Sequence, residues 1–145
     1  MRQLEVLIKH TDEFFRRHWP ESIGVPAPQW DSQWDWKGSV PYHDKGGVYA
    51  LFNDLGDILY IGLGASVGAG NRVGFGISRR LTGHVITTDK EKGRGHYKPH
   101  SNWSEVRAIA TLGFPNEYCY LAPALEDYLI GHIDSPRNRS KVRAR

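Results

Sequence analysis

The stretch from Gly46 to Gly62 constrains this chain more than any other. Val48, Ala50 and Phe52 alternate with Tyr49, Leu51 and Asn53; further on, Ile58, Tyr60 and Gly62 alternate with Leu59 and Ile61. A period of two is the mark of a strand. Between the runs, Asn53-Asp54-Leu55-Gly56-Asp57 supplies turn chemistry, with Gly56 free to take a positive φ. The pattern predicts a β-hairpin with one tyrosine on each strand. Its glycines leave room for a second backbone or a ligand to come close. An ordinary core hairpin with buried aromatic rings has the same pattern, so function has to be read from the rest of the chain.

At 145 residues the chain is long enough for one domain with one core. A hydrophobic content of 39% and a charged content of 24% are those of a globular protein. No apolar run reaches the span of a bilayer, and the polar, amphipathic start is not that of a signal peptide. The expectation is a cytoplasmic protein with no membrane partner. The single Cys119 excludes an internal disulfide and agrees with a reducing compartment. The net charge is only +3, but a pI of about 9.1 favours a polyanionic partner.

Residues 2–18 read as an amphipathic helix through Leu4, Leu7, Ile8, Phe14 and Phe15, ended by Trp19-Pro20. Packing on the domain is the simpler role for it; contact with DNA or dimerisation is the alternative. Residues 20–45 hold Pro20, Pro26, Pro28 and Pro41, with Trp30, Trp34 and Trp36 among them. Such proline density predicts an irregular segment, and the tryptophans either anchor it or stack on unpaired bases. Gly62, Gly64, Gly68, Gly70, Gly74 and Gly76 form a glycine-rich segment. It lacks both the Gly-Lys-Ser/Thr of a Walker loop and the βαβ context of a dinucleotide site. It reads as a loop approaching a phosphate backbone, or as a flexible insertion.

Residues 77–85 predict a short helix on which Arg80 and His84 share a face, with Arg79 turned aside. Residues 87–102 read as a polar, basic loop through Lys90, Lys92, Arg94, His96, Lys98 and His100, without a zinc pattern. It either covers a nucleic-acid groove or is simply solvated. A third strand is expected over 103–111. A helix follows over 122–133, with Pro123 in its first turn and a buried stripe of Leu125, Tyr128, Leu129, His132 and Ile133. Glu126 is expected at the edge of that stripe. Arg137, Arg139, Lys141, Arg143 and Arg145 make a basic tail.

Gly47-Val48-Tyr49 followed by Tyr60-Ile61-Gly62 resembles the signature of the GIY-YIG nucleases. Arg80-Leu81 with His84, Glu126 within Ala124–Ile130, and Asn138 follow in that family's order. The resemblance covers residues 46–138 as a nuclease-like domain. Residues 1–45 stand before it as an extension packed on the core, and 139–145 after it as a basic tail. It implies a small α+β fold: a three-stranded, mainly antiparallel sheet (47–53, 58–62, 103–111) flanked by helices.

The resemblance also implies an endonuclease that hydrolyses phosphodiester bonds of nucleic acid, double-stranded DNA first, with Mg²⁺ or Mn²⁺. It assigns Tyr49 as general base, Tyr60 as orienting the water or phosphate, and Arg80 as clamping the phosphate. His84 relays a proton or contacts phosphate, Glu126 holds the metal, and Asn138 positions a neighbour. A free phenol is a poor base, so nearby cations are expected to lower the pKa of Tyr49. Restriction of foreign DNA, mobile-element processing and repair are roles that such a core serves. Two other readings stand beside this one. They are an inactive nucleic-acid-binding module on the same fold, and a nucleotide-binding protein using the glycine-rich loop.

Overall fold

The computed structural model describes residues 2–64 and 76–138. Residues 65–75, which include Gly68, Gly70 and Gly74, lie outside it, as does the tail after Asn138. The architecture is α+β. Strands β1 (Gly47–Phe52), β2 (Ile58–Leu63) and β5 (Ala108–Gly113) form an antiparallel sheet in the order β2-β1-β5. Strands β3 (Ile86–Thr88) and β4 (Tyr97–Pro99) form a separate ribbon. The long helices are α1 (Leu4–His18), α2 (Ile77–His84) and α3 (Ala122–His132). No helix among the described residues is long and apolar enough to cross a membrane.

The central strand is buried along its whole length, so its alternation separates two cores rather than a core from solvent. Val48, Ala50 and Phe52 face a cluster made by α1, α3 and the segment from Phe114 to Cys119. Tyr49 and Leu51 face a second cluster with Ile77 and Leu81 of α2, Ile86, Val106 and Ile109. The hairpin turn forms as its residues dictate. Asn53 Oδ1 accepts the N–H groups of Leu55 and Asp57, and Gly56 takes φ 81°.

β2 departs from simple alternation. The pairing jumps from Leu51↔Tyr60 to Phe52↔Ile58, leaving Leu59 as a bulge. Ile58 therefore shares the first core with Ile61, while Tyr60 turns to the second.

Both outer edges of the sheet are covered. Asp31 exchanges backbone hydrogen bonds with Thr111 on β5, at 2.8 and 2.9 Å. On β2 the cover is a side chain. The amide of Asn138, 2% exposed, accepts the Ile61 N–H at 2.8 Å and donates to the Ile61 carbonyl at 3.0 Å.

Residues 20–45 are irregular but anchored, and their indoles supply hydrogen bonds. Trp30 Nε1 donates to Thr11 Oγ1, Trp34 Nε1 to the Gly38 carbonyl and Trp36 Nε1 to the Arg107 carbonyl. Three sequence expectations need correction. The third strand begins at Ala108, not at 103, because Ser101–Trp103 closes into a 3₁₀ turn capped by the His100 side chain. The segment 87–102 is a ribbon rather than a loop. Its partners lie far back in the chain: Tyr97 N–H donates to the Trp36 carbonyl and Gly38 N–H to that of Gly95. On α3, Glu126 lies within the buried stripe. Tyr128 and His132 instead turn toward α1, where Tyr128 packs on Phe14 and His132 on His10.

Asn138→Ala removes the partners of both backbone groups of the buried Ile61. It should cost about 2–4 kcal/mol in urea denaturation with an unchanged m-value. A loss below about 0.5 kcal/mol would mean that water replaces the clasp.

Candidate active site

Gly62 pairs with Tyr49 across the hairpin, and the Tyr49 ring lies over it. A Cβ at position 62 would stand 2.5 Å from Cε2 of Tyr49 and closer still to Cζ and the hydroxyl oxygen. The close approach expected at the hairpin glycines is thus made by the protein's own phenol. At Gly47 a Cβ would meet the Leu112 carbonyl, and at Gly64 it would meet Ile77, 2.7 Å from Cγ1. These glycines serve internal packing.

Tyr49 is 2% exposed and stands beside Tyr60, with ring centroids 6.2 Å apart. Helix α2 buries Ile77 and Leu81 and so turns Arg80 and His84, one turn apart, to a shared side. Tyr49, Tyr60, Arg80 and His84 come together around one cleft of about 130 Å³, completed by Val85 and Trp103. Arg79, the neighbouring arginine, does not line it. Neither do Glu126 and Asn138. Glu126 is buried on α3, 6% exposed, yet near enough for its charge to act on the Tyr49 phenol. Asn138 holds the backbone next to Tyr60, so its amide acts on β2 and not on the cleft.

Burial pushes the Tyr49 phenol well above the ordinary tyrosine range, and the neighbouring Tyr60 adds to this. Arg80 pulls the other way, through its charge and a hydrogen bond, but does not prevail; Glu126 raises it further. The expectation that cations would lower this pKa is corrected: loss of solvent around the phenolate outweighs one guanidinium.

Two residues at the site are not among those to which the sequence pointed. Trp103 packs edge-on against Tyr60 at 5.2 Å, and Arg137 lies over the Trp103 ring at 3.7 Å. Arg137 is held by the Asn102 carbonyl at 3.1 Å and by the Glu105 carboxylate. The turn Pro136–Asn138 therefore steadies Tyr60 twice, through its ring by Arg137 and Trp103, and through its backbone by Asn138. A tryptophan placed after a basic segment was the one sequence signal for them, and it carries no spacing rule.

Among the described residues, no three His, Cys, Asp or Glu side chains gather into a group that could hold a metal ion. Among the described residues, the carboxylate whose charge reaches Tyr49 is that of Glu126. That donor fits a Mg²⁺ ion bound through one carboxylate, with water and phosphate oxygens in its other positions. It does not fit an all-protein cage. No protein-family model, curated protein or solved structure matches this chain.

Gly62→Ala should displace the Tyr49 ring, since both atoms in conflict belong to a packed sheet. The cost should be about 2 kcal/mol or more, and at least about 1 kcal/mol smaller in a Tyr49→Ala background. Additive costs in this double-mutant cycle would show that Gly62 matters for another reason. The raised phenol also has a signature in pH. Below about pH 10, the ordinary tyrosine value, Tyr49 is neutral whether folded or unfolded. Above it the unfolded chain ionises first, so stability falls as pH rises, by up to about 1.4 kcal/mol per unit. Tyr49→Phe should flatten that decline in denaturation curves recorded from about pH 9 to 11.5.

Proposed function

We propose that this chain is a metal-dependent endonuclease of the GIY-YIG type, hydrolysing phosphodiester bonds of duplex DNA. One observation carries the reading. Four polar side chains from three separate elements, Tyr49, Tyr60, Arg80 and His84, line a single cleft on one face of the sheet. A purely structural hairpin has no need to aim an arginine and a histidine at its two tyrosines.

In this reading Arg80 binds a non-bridging phosphate oxygen and meets the negative charge that builds at phosphorus. Tyr60, held from two sides, orients the attacking water. Tyr49 is neutral across the physiological range, so it acts by relay. Its oxygen takes the water proton while its own proton passes on, and His84 is the acceptor that lines the same cleft. Glu126 would hold Mg²⁺ or Mn²⁺, which when bound supplies charge for the phosphate and the leaving 3′ oxygen. Restriction of foreign DNA is the role to which a compact enzyme of this kind is assigned first.

A second reading, a nucleic-acid-binding module without catalysis, is favoured by the raised Tyr49 phenol, which weakens it as a base. The nucleotide-binding reading has less support. The described sheet is antiparallel throughout, and the spaces at Gly62 and Gly64 are filled by Tyr49 and Ile77.

Incubation of supercoiled plasmid with the protein and Mg²⁺ should give nicked and linear products. Glu126→Gln should slow this at least about a hundredfold, the scale of losing a group that meets developing charge. The variant should keep its fold, checked by circular dichroism. Absence of any product from folded protein, with duplex binding retained, would select the binding module. Full activity of Glu126→Gln would remove the metal assignment.

A further inference from the structure

The ribbon β3–β4 grows directly out of the cleft. Val85, just before β3, and Trp103, shortly after β4, both line it. Lys90, Lys92, Arg94 and Lys98 are exposed along this ribbon, and none of them pairs with a carboxylate among the described residues. Two acids lie among them, Asp89 and Glu91. Asp89 is occupied in shaping the tip, where its Oδ1 accepts the N–H groups of Glu91 and Lys92 at 3.1 and 3.4 Å.

The ribbon is also braced. Asp89 N–H donates to the His96 carbonyl at 2.9 Å, and Gly93 N–H to that of Asp89 at 3.0 Å. Gly93 and Gly95 take φ 96° and 83°, a region open to glycine. Along its flank the segment 36–38 adds a partial third strand through the Lys37↔His96 bridge and the Tyr97-to-Trp36 hydrogen bond. Trp34 packs against Trp36 at 5.1 Å and Tyr97 at 6.1 Å. A solvated loop has no need of such bracing.

We infer that this ribbon is the arm by which the protein grips duplex DNA, lying along a groove with its lysines and Arg94 on the phosphates. The inference deepens the nuclease reading and rests on it for the substrate class. The β3–β4 pair is a two-stranded ribbon, flanked by the segment 36–38 on one edge only, and the major groove of B-form DNA admits such an element, whereas the deep, narrow major groove of A-form RNA shuts it out. Single strands are usually held by aromatic faces open to the bases. Here Trp34 packs at a tilt against both Trp36 and Tyr97, and both indole N–H groups are spent on backbone carbonyls. Trp34 and Trp36 of the extension thus have a role the sequence left open: they brace the arm.

Binding is measured with chelator present, so that cleavage plays no part. The probes are a labelled DNA duplex, one of its single strands and an RNA duplex of the same sequence. Replacing Lys90, Lys92, Arg94 and Lys98 together by glutamine should lower DNA-duplex affinity at least about tenfold. The log–log salt slope should flatten by roughly 0.9 for each phosphate no longer neutralised. Lys92→Gln and Arg94→Gln alone should each flatten it by about 0.9. The control replaces Lys9, Arg16 and Arg17 by glutamine, on α1 across the sheet, and should leave the slope unchanged. An equal loss in the control would mean net charge only and would overturn the inference. So would unchanged binding by the ribbon variants, or tighter binding of the single strand or the RNA duplex by the unaltered protein. The nuclease reading fails separately: a chain that never cuts plasmid but binds duplex through the ribbon loses that reading and keeps the arm.

Discussion

The site depends on one steric fact, that the ring of Tyr49 occupies the space where Gly62 has no side chain. This packing seats Tyr49 beside Tyr60, and both line the cleft. It also takes the phenol out of water, which raises its pKa despite Arg80. A phenol so placed is held in one position and ionises less readily than a free one. Position and pKa therefore have one cause, the packing of an aromatic ring on a bare Cα.

Around that ring the fold is arranged to keep a small sheet from shifting. The sheet has three strands, with the central one buried on both faces, so a slip of one residue would exchange the two cores. Its edges are closed by different means. Asp31 lends its backbone to β5, and Asn138 lends a side-chain amide to β2. Both come from outside the hairpin in sequence. The extension before the sheet accordingly belongs to the same body. Its helix fills one core with Trp30 packed beside it, and its Trp34 and Trp36 support the ribbon on the other face.

Legibility of the site followed the range of the forces involved. Tyr49 and Tyr60 could be read from strand alternation, and Arg80 with His84 from helical spacing, because both are local geometry. Trp103 and Arg137 could not, because their relation to Tyr60 is a stack between segments with no shared period. Glu126 reads as an edge residue in the sequence and is buried in the fold. α3 presents one side to the sheet and another to α1, and a single periodic stripe cannot describe two partners. The bulge at Leu59 was hidden for a like reason, since pairing with β1 decides it and composition does not.

What the sequence determined by itself was the hairpin and its Asn53–Asp57 turn, the three long helices to within a residue or two, and the pairing of Arg80 with His84. All of these follow from local periodicity, proline and glycine placement, and side-chain-to-backbone hydrogen bonds. The tertiary structure decided which face each tyrosine takes and what fills the space at Gly62. It also made a braced ribbon of a basic segment and raised the pKa of the Tyr49 phenol where a neighbouring cation alone would lower it. These depend on contacts between residues far apart in the chain and on the exclusion of water, neither of which a linear pattern records.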